Sequence, residues 1–304
     1  MALFARKKQA GLTVFFATDV HGSTLTFRKF LSAPTFYDAD VLVLGGDLTG
    51  KRIVRARNGA DPDPEAEDQL DGAYVVAGDA FAKAANGSEH ELFTRLAIAR
   101  LESWLPRAEN VLERTGTPCF VIAGNDDPPE FVDLLKSHAG PWVRYCEERV
   151  LELGQGLLIG GCGWSNPTPW HTPREAPEHE LEPLIRRILE SVDPDQIVLD
   201  VHVPPHRVLD VCPELDTSVD PPRPVIRDGQ VALSSVGSTV LRDLLLEYQP
   251  LAALCGHVHE ARGATKLGRT FVVNPGSEYA EGVLRGALVR MRPGKILSHQ
   301  LTSG

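Results

Sequence analysis

Apolar residues recur along the chain in short continuous runs that end in glycine or in polar turn residues. Runs of about four to eight apolar residues with such boundaries predict buried β-strands. The six runs of this kind lie at residues 12–17, 40–46, 119–124, 156–163, 196–201 and 251–256. The segments with helical spacing between them lie at residues 24–37, 89–114, 129–138, 179–191 and 238–248. Because strands alternate with helices, the pattern predicts an α/β architecture.

The stretch at residues 269–301 departs from this alternation. It lacks helical periodicity and has the pattern of consecutive antiparallel strands. Parallel strands connected by helices, followed by antiparallel strands, predict mixed sheets. The chain shows no internal repeat, and we interpret residues 1–304 as a single domain.

Two segments interrupt the order of strands and helices. Residues 58–72 are rich in acids and proline and lie between two β-like pieces, so we predict an extended hairpin insertion over 50–80. Residues 204–236 are proline-rich and lack periodicity, which predicts a loop insertion. That loop is either a surface excursion or a wall of a pocket, and the sequence leaves both open.

Composition limits the class of partner. The chain has 304 residues, 42% of them hydrophobic, and a formal net charge of −10, which argues against binding to nucleic acid or to an anionic membrane. A small substrate fits this charge better. The five cysteines form no CxxC pair, and neither an export signal nor a membrane-spanning run is evident, so we expect a cytoplasmic protein. The oligomeric state is not predicted.

Polar residues cluster at the carboxyl ends of the predicted strands, where open α/β sheets place their ligands. Five different strand ends contribute residues of metal-ligand type, in chain order. The seven residues are Asp19, His21, Asp47, Asn125, His202, His257 and His259. A single such residue is more often structural, but five strand ends together predict a metal centre. The other histidines are interpreted as surface residues, with some reservation for His206.

Phosphoryl chemistry explains why these residue types are needed. Two divalent ions about 3.5–4 Å apart can clamp the attacking and leaving oxygens of a displacement at phosphorus. A carboxylate is the natural bridge between them, and Asp47 is our candidate. Mixed imidazole and carboxylate donors suit Mn, Fe, Zn or Co better than Ca or Mg. Asp19 and His21 are two residues apart, as are His257 and His259, so in extended backbone each pair points to one side.

The motifs that contain these residues are "TDVHG", "GGDLTG", "GNDD", "DVHVPPH" and "GHVHE". They resemble the five blocks of the calcineurin-like metallophosphoesterase superfamily, over residues 13 to about 278. The stretches "GCGWSNPTPWHTP", "GSTVLRDLLLEYQPL" and "NPGSEYAEG" are similar to a subgroup of predicted prokaryotic phosphoesterases related to bacterial cyclic-AMP phosphodiesterase. The resemblance implies a two-sheet mixed β-sandwich flanked by helices, in four layers α/β/β/α, with the metals at one edge.

The resemblance also implies the chemistry and the ligand sets. It implies hydrolysis of a phosphate ester, with phosphodiesters favoured, by attack of a metal-bridging hydroxide. One ion would bind to Asp19, His21, Asp47 and His259. The other ion would bind to Asp47, Asn125, His202 and His257. The residues expected to act on the substrate are Asn125, Asp126 and His202. The alternative function is a catalytically weak or inactive metal-binding scaffold on the same fold.

Asp126 departs from the superfamily pattern. Most members have a histidine there, which is thought to contact the phosphoryl group and to protonate the leaving oxygen. An aspartate with an ordinary pKa of about 3.9 is ionised at neutral pH and cannot donate a proton. Asp126 is therefore protonated by burial or by its neighbour Asp127, or binds a cation on the substrate or a further ion, or is a bystander while water or His206 donates the proton. The sequence does not decide among these alternatives.

The loop 164–170 carries two tryptophans on a proline-containing turn. Trp164 and Trp170 could stack on a nucleobase or another flat group. They could equally pack the loop onto the sheet, and both interpretations stay open at this point.

Overall fold

Two six-stranded mixed sheets form the centre of the protein, in a computed structural model that describes residues 11–55, 72–76, 89–219 and 221–304. The strands of the first sheet, in spatial order, are β20 (Lys295–Ser303), β19 (Arg285–Arg292), β1 (Leu12–Ala17), β2 (Val41–Gly45), β5 (Cys119–Ile122) and β6 (Val143–Tyr145). The strands of the second sheet are β17 (Gly263–Leu267), β18 (Thr270–Asn274), β16 (Ala252–Leu254), β9 (Ile197–Val201), β8 (Leu157–Cys162) and β7 (Val150–Gly154).

Both sheets have a parallel centre and antiparallel strands at one or both sides. In the first sheet β1, β2, β5 and β6 are parallel to one another. β19 is antiparallel to β1, and β20 is antiparallel to β19. In the second sheet β8, β9, β16 and β18 are parallel, with β7 and β17 antiparallel at the edges. The carboxyl ends of the central strands within each sheet therefore lie along one edge.

Five α-helices of the described chain cover the outer faces of the two sheets. They are α1 (Thr24–Tyr37), α2 (Glu89–Thr115), α3 (Pro129–Ser137), α4 (Glu178–Glu190) and α5 (Thr239–Tyr248). Each matches a predicted segment to within one residue. Serine caps explain two of the starts, because Ser23 Oγ accepts from Thr26 N at 3.2 Å and Ser238 Oγ accepts from Leu241 N at 3.0 Å.

Alternation along the central strands divides the apolar residues between separate cores. On β1, Phe16 packs between the two sheets, whereas Phe15 packs on the side of α1. Trp104 of α2 belongs to that same outer core, and Ile185 of α4 belongs to the core outside the second sheet. The layers are thus helix, sheet, sheet, helix, which confirms the fold class implied by the sequence. In the described parts of the chain, every helix is too short or too polar to span a bilayer.

The prediction for residues 269–301 is only partly correct. β19 and β20 are antiparallel neighbours as expected, but β18 lies in the second sheet, paired with β16 and β17. The connection between β18 and β19 therefore crosses from one sheet to the other. Apolar alternation is the same in both sheets, so it cannot show where a chain changes sheet.

The predicted hairpin over 50–80 is wrong. β3 (Arg52–Arg55) and β4 (Ala73–Val76) pair in parallel, with Arg52 opposite Ala73. The two strands of a hairpin must be antiparallel, and a parallel pair needs a connection that returns the chain to its starting end. The acid-rich tip falls in residues 56–71, which are outside the described residues. Composition indicated a long connection but not its direction.

The segment at 204–236 contains regular structure, which the loop prediction missed. The short strands β10 (Val211–Pro213) to β15 (Leu233–Ser235) form three two-stranded antiparallel ladders. Each strand is two or three residues long, too short to show alternation in the sequence. Leu233 is 64% exposed and Ile226 is 60% exposed, so this part of the segment 204–236, which we call the 204–236 arm, lies at the surface.

Candidate metal centre

The edge where the two sheets meet brings all seven predicted metal-ligand residues into one place, which we call the metal cluster. The cluster consists of Asp19, His21, Asp47, Asn125, His202, His257 and His259. A contact between the sheets fixes its position, because the Nδ1 atom of His202 on the second sheet lies 2.8 Å from the carbonyl oxygen of Gly45 on the first. Five of the seven side chains are fully buried, and those of His257 and His259 are half-buried on the open side.

Three side chains form the first group of the cluster. Oδ1 of Asp19 lies 3.3 Å from Nε2 of His259 and 3.8 Å from Nε2 of His21. The two histidine Nε2 atoms are 3.1 Å apart. Three donor atoms thus converge on one point, as the ligand set of a single ion requires.

The second group centres on Asn125. Its Oδ1 atom lies 2.9 Å from Nε2 of His202 and 2.7 Å from Nδ1 of His257. An amide oxygen between two imidazole nitrogens is again a converging donor set.

Asp47 lies between the two groups. One carboxylate oxygen, Oδ2, is 3.6 Å from Nε2 of His21 in the first group. The other oxygen, Oδ1, is 3.4 Å from Nε2 of His202 in the second group. Because each oxygen faces a different group, Asp47 has the arrangement expected of a carboxylate that bridges two ions.

The donor set fits divalent transition metals. Four imidazoles, two carboxylates and one amide are the mixed ligands that Mn, Fe and Zn accept more readily than Ca or Mg. The nitrogens of His21 and His259 also point at each other, an arrangement that a cation between them would satisfy. The family to which the motifs are similar binds divalent metals, and these residues could hold them.

The carboxylate charges act strongly on the neighbouring imidazoles. Burial alone would lower the pKa of His202, but the charges of Asp47 and Asp19 overcome burial and raise that pKa to about 10. At His257 burial dominates, with the charge of His202 adding to it, and the pKa falls to about 4. The raised pKa of His202 shows that the two buried carboxylates favour a positive charge at this position.

The backbone of the cluster is unusual. Asp19, His21, Asp47 and His257 all have positive φ, at 53°, 41°, 51° and 65°. Only a few per cent of residues other than glycine adopt this left-handed region, although Asp and His do so more readily than most. Such conformations concentrate at functional sites, where the surrounding structure enforces them.

Two glycines leave room for the cluster carboxylates. A Cβ atom on Gly124 would overlap Oδ1 and the backbone nitrogen of Asp47 and would lie 2.8 Å from Cγ of Asp47. A Cβ atom on Gly256 would lie 2.5 Å from Oδ2 of Asp19. Each glycine directly precedes a residue of the cluster, so its role is close approach to a carboxylate as well as turn formation.

The loop after β8 fixes the orientation of Asn125, and sequence reasoning missed this support. Nδ2 of Asn125 donates to Oγ1 of Thr172 at 2.8 Å, which turns Oδ1 toward the two histidines. Arg174 Nη1 donates to the carbonyl oxygen of Gly124 at 3.0 Å, and the guanidinium is paired with buried Glu147. The sequence carried a signal for Thr172 alone, because "HTP" ends the stretch that resembles the family subgroup and Arg174 lies one residue beyond it.

We expect Thr172→Val to weaken binding of Mn²⁺ to the Asn125 group by about tenfold, because loss of a hydrogen-bonded support typically reduces metal affinity by about 10–100-fold. The Nδ2 atom of Asn125 would then keep only its hydrogen bond to Oδ1 of Asp126, at 3.1 Å, and the amide would be held less firmly. Titration of the metal-free protein with Mn²⁺, followed by electron paramagnetic resonance, measures the change. The control is Thr115→Val, since Thr115 is exposed at the end of α2 and its hydroxyl donates only to carbonyl oxygens of that helix. Equal losses in both variants would contradict a specific role for Thr172.

The contacts of Asp126 involve a residue that the sequence did not single out. Its Oδ2 atom forms an ion pair with Nζ of Lys51 and lies 3.8 Å from Nδ1 of His21. Its backbone nitrogen donates to Oδ1 of Asp47 at 3.0 Å. Burial and the charge of Asp47 raise the pKa of Asp126 to about 7, although Lys51 opposes the rise. A protein cation as partner was not among the three alternatives considered for Asp126.

The neighbours considered as helpers of Asp126 have other contacts. Asp127 is fully buried and accepts from the backbone nitrogens of Leu48, Thr49 and Gly124, at distances from 2.8 to 3.1 Å. It therefore ties the loop after β2 to the loop after β5. Nδ1 of His206 lies 3.7 Å from Oδ2 of Asp210. The backbone nitrogen of His206 donates to the carbonyl oxygen of Ser238, the residue that precedes α5.

The two tryptophans of the loop 164–170 differ. Trp164 packs against the outer core of the second sheet, and the guanidinium of Arg174 lies 5.1 Å from the centre of its ring. Trp170 is 57% exposed. Packing therefore accounts for Trp164, whereas stacking on a ligand stays possible for Trp170 alone.

Comparison with known proteins agrees with this geometry. A family model for calcineurin-like phosphoesterases matches residues 12–261, a span that contains the whole metal cluster. A protein of Methanocaldococcus jannaschii described as uncharacterized is 28% identical over 156 residues, which cover 51% of this chain and 62% of that relative. The alignment thus spans less than two thirds of the relative's length.

Two crystal structures share the fold over almost the entire chain. One has a TM-score of 0.57 at 19% identity, with 97% of this chain and 98% of that chain covered. The other, TT1561 of Thermus thermophilus, has a TM-score of 0.55 at 17% identity, with the same coverage. At this level of identity the similarity concerns the fold.

Proposed function

The chain belongs to the calcineurin-like phosphoesterase family, and from that premise we propose that it is a dinuclear metal-dependent hydrolase of small phosphate esters, with phosphodiesters favoured. Membership implies a hydrolase that acts on phosphoesters. The position of Asp47 carries the dinuclear part of the proposal, because its two oxygens face two separate groups of donors. All seven donor residues are present, which argues against the inactive scaffold.

Each ion has its own set of residues in this proposal. Asp19, His21 and His259 would hold one ion. Asn125, His202 and His257 would hold the other, and Asp47 would contact both. Bound divalent ions supply Lewis acidity at phosphoryl oxygens and lower the pKa of water. We propose manganese as the first metal to test, with iron and zinc as alternatives.

The protein residues determine access and orientation. His257 and His259 are the least buried members of the cluster, so the substrate would enter on their side. Asn125, held by Thr172, and His202, held by Gly45, keep fixed directions during the reaction. A net charge of −10 and five free cysteines support a small-molecule substrate and a cytoplasmic location, respectively.

We expect two Mn²⁺ ions per chain after reconstitution, because seven donors with a shared carboxylate exceed the needs of one ion. Elemental analysis of the dialysed protein measures the number of bound ions. Turnover of bis(p-nitrophenyl) phosphate measures the proposed phosphodiester hydrolysis. Full activity at a stoichiometry of one or less would contradict the dinuclear assignment. Two bound ions without turnover of any phosphate ester would favour the inactive scaffold.

We expect faster hydrolysis of aryl than of alkyl phosphodiesters. The residue at position 126 is an aspartate paired with Lys51, so the usual histidine donor is absent, and a good leaving group needs less protonation. Initial rates for aryl and alkyl diesters, compared from pH 6 to pH 9 at matched metal content, test the expectation. Equal rates would show that an efficient acid exists or that the chemical step is not rate-limiting.

A further inference from the structure

Lys51 lies four residues after Asp47, directly before β3. Its backbone nitrogen donates to the carbonyl oxygen of Gly72 at 2.8 Å, which fixes its position on the loop. Its side chain is 41% exposed, and its ammonium group is paired with Asp126, whose side chain is 12% exposed. Lys51 is thus a solvent-accessible cation that a buried partner holds in place.

The pairing places this cation next to the metal cluster. Asp126 contacts the cluster three times, because its backbone nitrogen donates to Asp47, its Oδ1 atom accepts from Nδ2 of Asn125 at 3.1 Å, and its Oδ2 atom lies near His21. The same Oδ2 atom contacts Nζ of Lys51, so one carboxylate oxygen lies between the ammonium and the ring of His21. The ring of Tyr279, 4.6 Å from that of His21, is a further neighbour of this region.

A cation beside Asp126 would favour the binding of a phosphoryl group at the cluster, in addition to the two ions of the proposed function. An unpaired Asp126 carboxylate would repel the phosphoryl oxygens, because like charges at short range in a partly dry site repel strongly. A lysine ammonium is charged at neutral pH and can offer three donors. One of these N–H donors is used in the contact with Asp126, which leaves two that can donate to a phosphoryl oxygen.

We propose that Lys51, held by Asp126, binds the phosphoryl oxygens of the substrate. Lys51 would thus supply a positive contact to the substrate, which an aspartate at position 126 cannot make. The inference rests on the proposed function. Lys51 would be a catalytic residue, and Asp126 a positioning residue. No proton transfer is assigned to Lys51: a water oxygen bonds to phosphorus and gives up one proton to solvent, the ester P–O bond breaks, and the leaving oxygen takes a proton from solvent.

The experiment compares Lys51→Met and Lys51→Arg with the unchanged protein after reconstitution with Mn²⁺. Removing one transition-state donor typically costs about 10²–10³-fold, and we expect about 10–10²-fold in kcat/KM for Lys51→Met because the ammonium is partly solvated. Binding of inorganic phosphate, measured by calorimetry, should weaken in parallel. Lys51→Arg should retain most of the kcat/KM and most of the affinity for phosphate, since arginine keeps the positive charge. Metal content should stay at the level of the unchanged protein in each variant.

The control for general loss of positive charge is Lys266→Met, on the exposed edge strand β17, which should change neither quantity. Asp126→Asn tests the positioning role. It should lower kcat/KM in the unchanged protein but have little further effect in Lys51→Met, because its function depends on the lysine. Additive losses would show that Asp126 acts separately.

The two proposals fail in different ways. Absence of turnover by the Mn²⁺-loaded unchanged protein would overturn the proposed function, whereas phosphate binding still reports on Lys51. Phosphate binding and turnover both unaltered in Lys51→Met, at equal metal content, would overturn the role of Lys51. Failure of the unchanged loaded protein to bind phosphate would also overturn it. Loss of both in Lys51→Met, with recovery in Lys51→Arg, would support it.

Discussion

Asp47→Ala is expected to reduce phosphoester hydrolysis by about 10³-fold or more, because loss of a single stabilising group already costs about 10²–10³-fold. The variant should also bind metal more weakly in both groups of the cluster. The reason is geometric: Oδ2 of Asp47 faces His21 and Oδ1 faces His202, so a single side chain serves both groups. Competition titration with a chromogenic chelator resolves the two affinities.

Two further variants define what the result means. His259→Ala should weaken mainly the group that contains Asp19, since the contacts of His259 lie there. Asp133→Ala removes an exposed carboxylate on α3 and should alter neither affinity nor rate. One metal site of unchanged affinity in Asp47→Ala would show that this carboxylate does not bridge.

Gly124→Ala is the second substitution with a large expected effect. The added methyl group would overlap the backbone nitrogen and Oδ1 of Asp47, and backbone atoms cannot rotate away as a side chain can. Asn125 would therefore move relative to Asp47. A displacement of about 1 Å can reduce a catalytic rate by about 10²-fold, and we expect a loss of about 10²–10³-fold together with loss of one or both ions.

The matched control is Gly116→Ala. A Cβ atom at Gly116 meets open space, but φ is +67°, so the variant introduces left-handed strain without a steric overlap. It should lower the melting temperature slightly and leave metal content and turnover unchanged. If Gly124→Ala behaves in the same way, the space beside Asp47 has no role in binding metal.

The metal cluster could be predicted because its determinants are local in sequence. Central strands buried on both faces are continuous apolar runs, and the first polar residues after them must lie at the sheet edge. Asp19 after β1, Asp47 after β2 and His202 after β9 follow this rule. Once β1, β2 and β5 of the first sheet and β9 and β16 of the second end at the edge where the sheets meet, their terminal residues lie close together without further information. Helix boundaries were similarly local, since capping serines and proline mark them.

The remaining features depend on contacts between distant segments. Lys51 and Asp126 are 75 residues apart, and Thr172 is 47 residues from Asn125. An exposed lysine or threonine gives no periodic signal, and its partner depends on how loops from different strands fold over the cluster. The direction of β4 relative to β3 is likewise a property of the whole connection. The ladders of the 204–236 arm are too short to leave a pattern.

The left-handed backbone at Asp19, His21, Asp47 and His257 is unfavourable for residues other than glycine, although metal binding needs their side chains. Directed evolution of this protein for thermal stability can therefore select against metal binding. Glycine at Asp47, for example, would relieve the backbone and remove a buried carboxylate in one step. A library screened for thermal survival in chelator would therefore enrich variants that have discarded the centre. The same library screened with Mn²⁺ present would retain it, because a ligand that binds only the folded state stabilises that state by mass action. The medium of the screen, rather than its temperature, would decide whether the evolved protein can still bind metal.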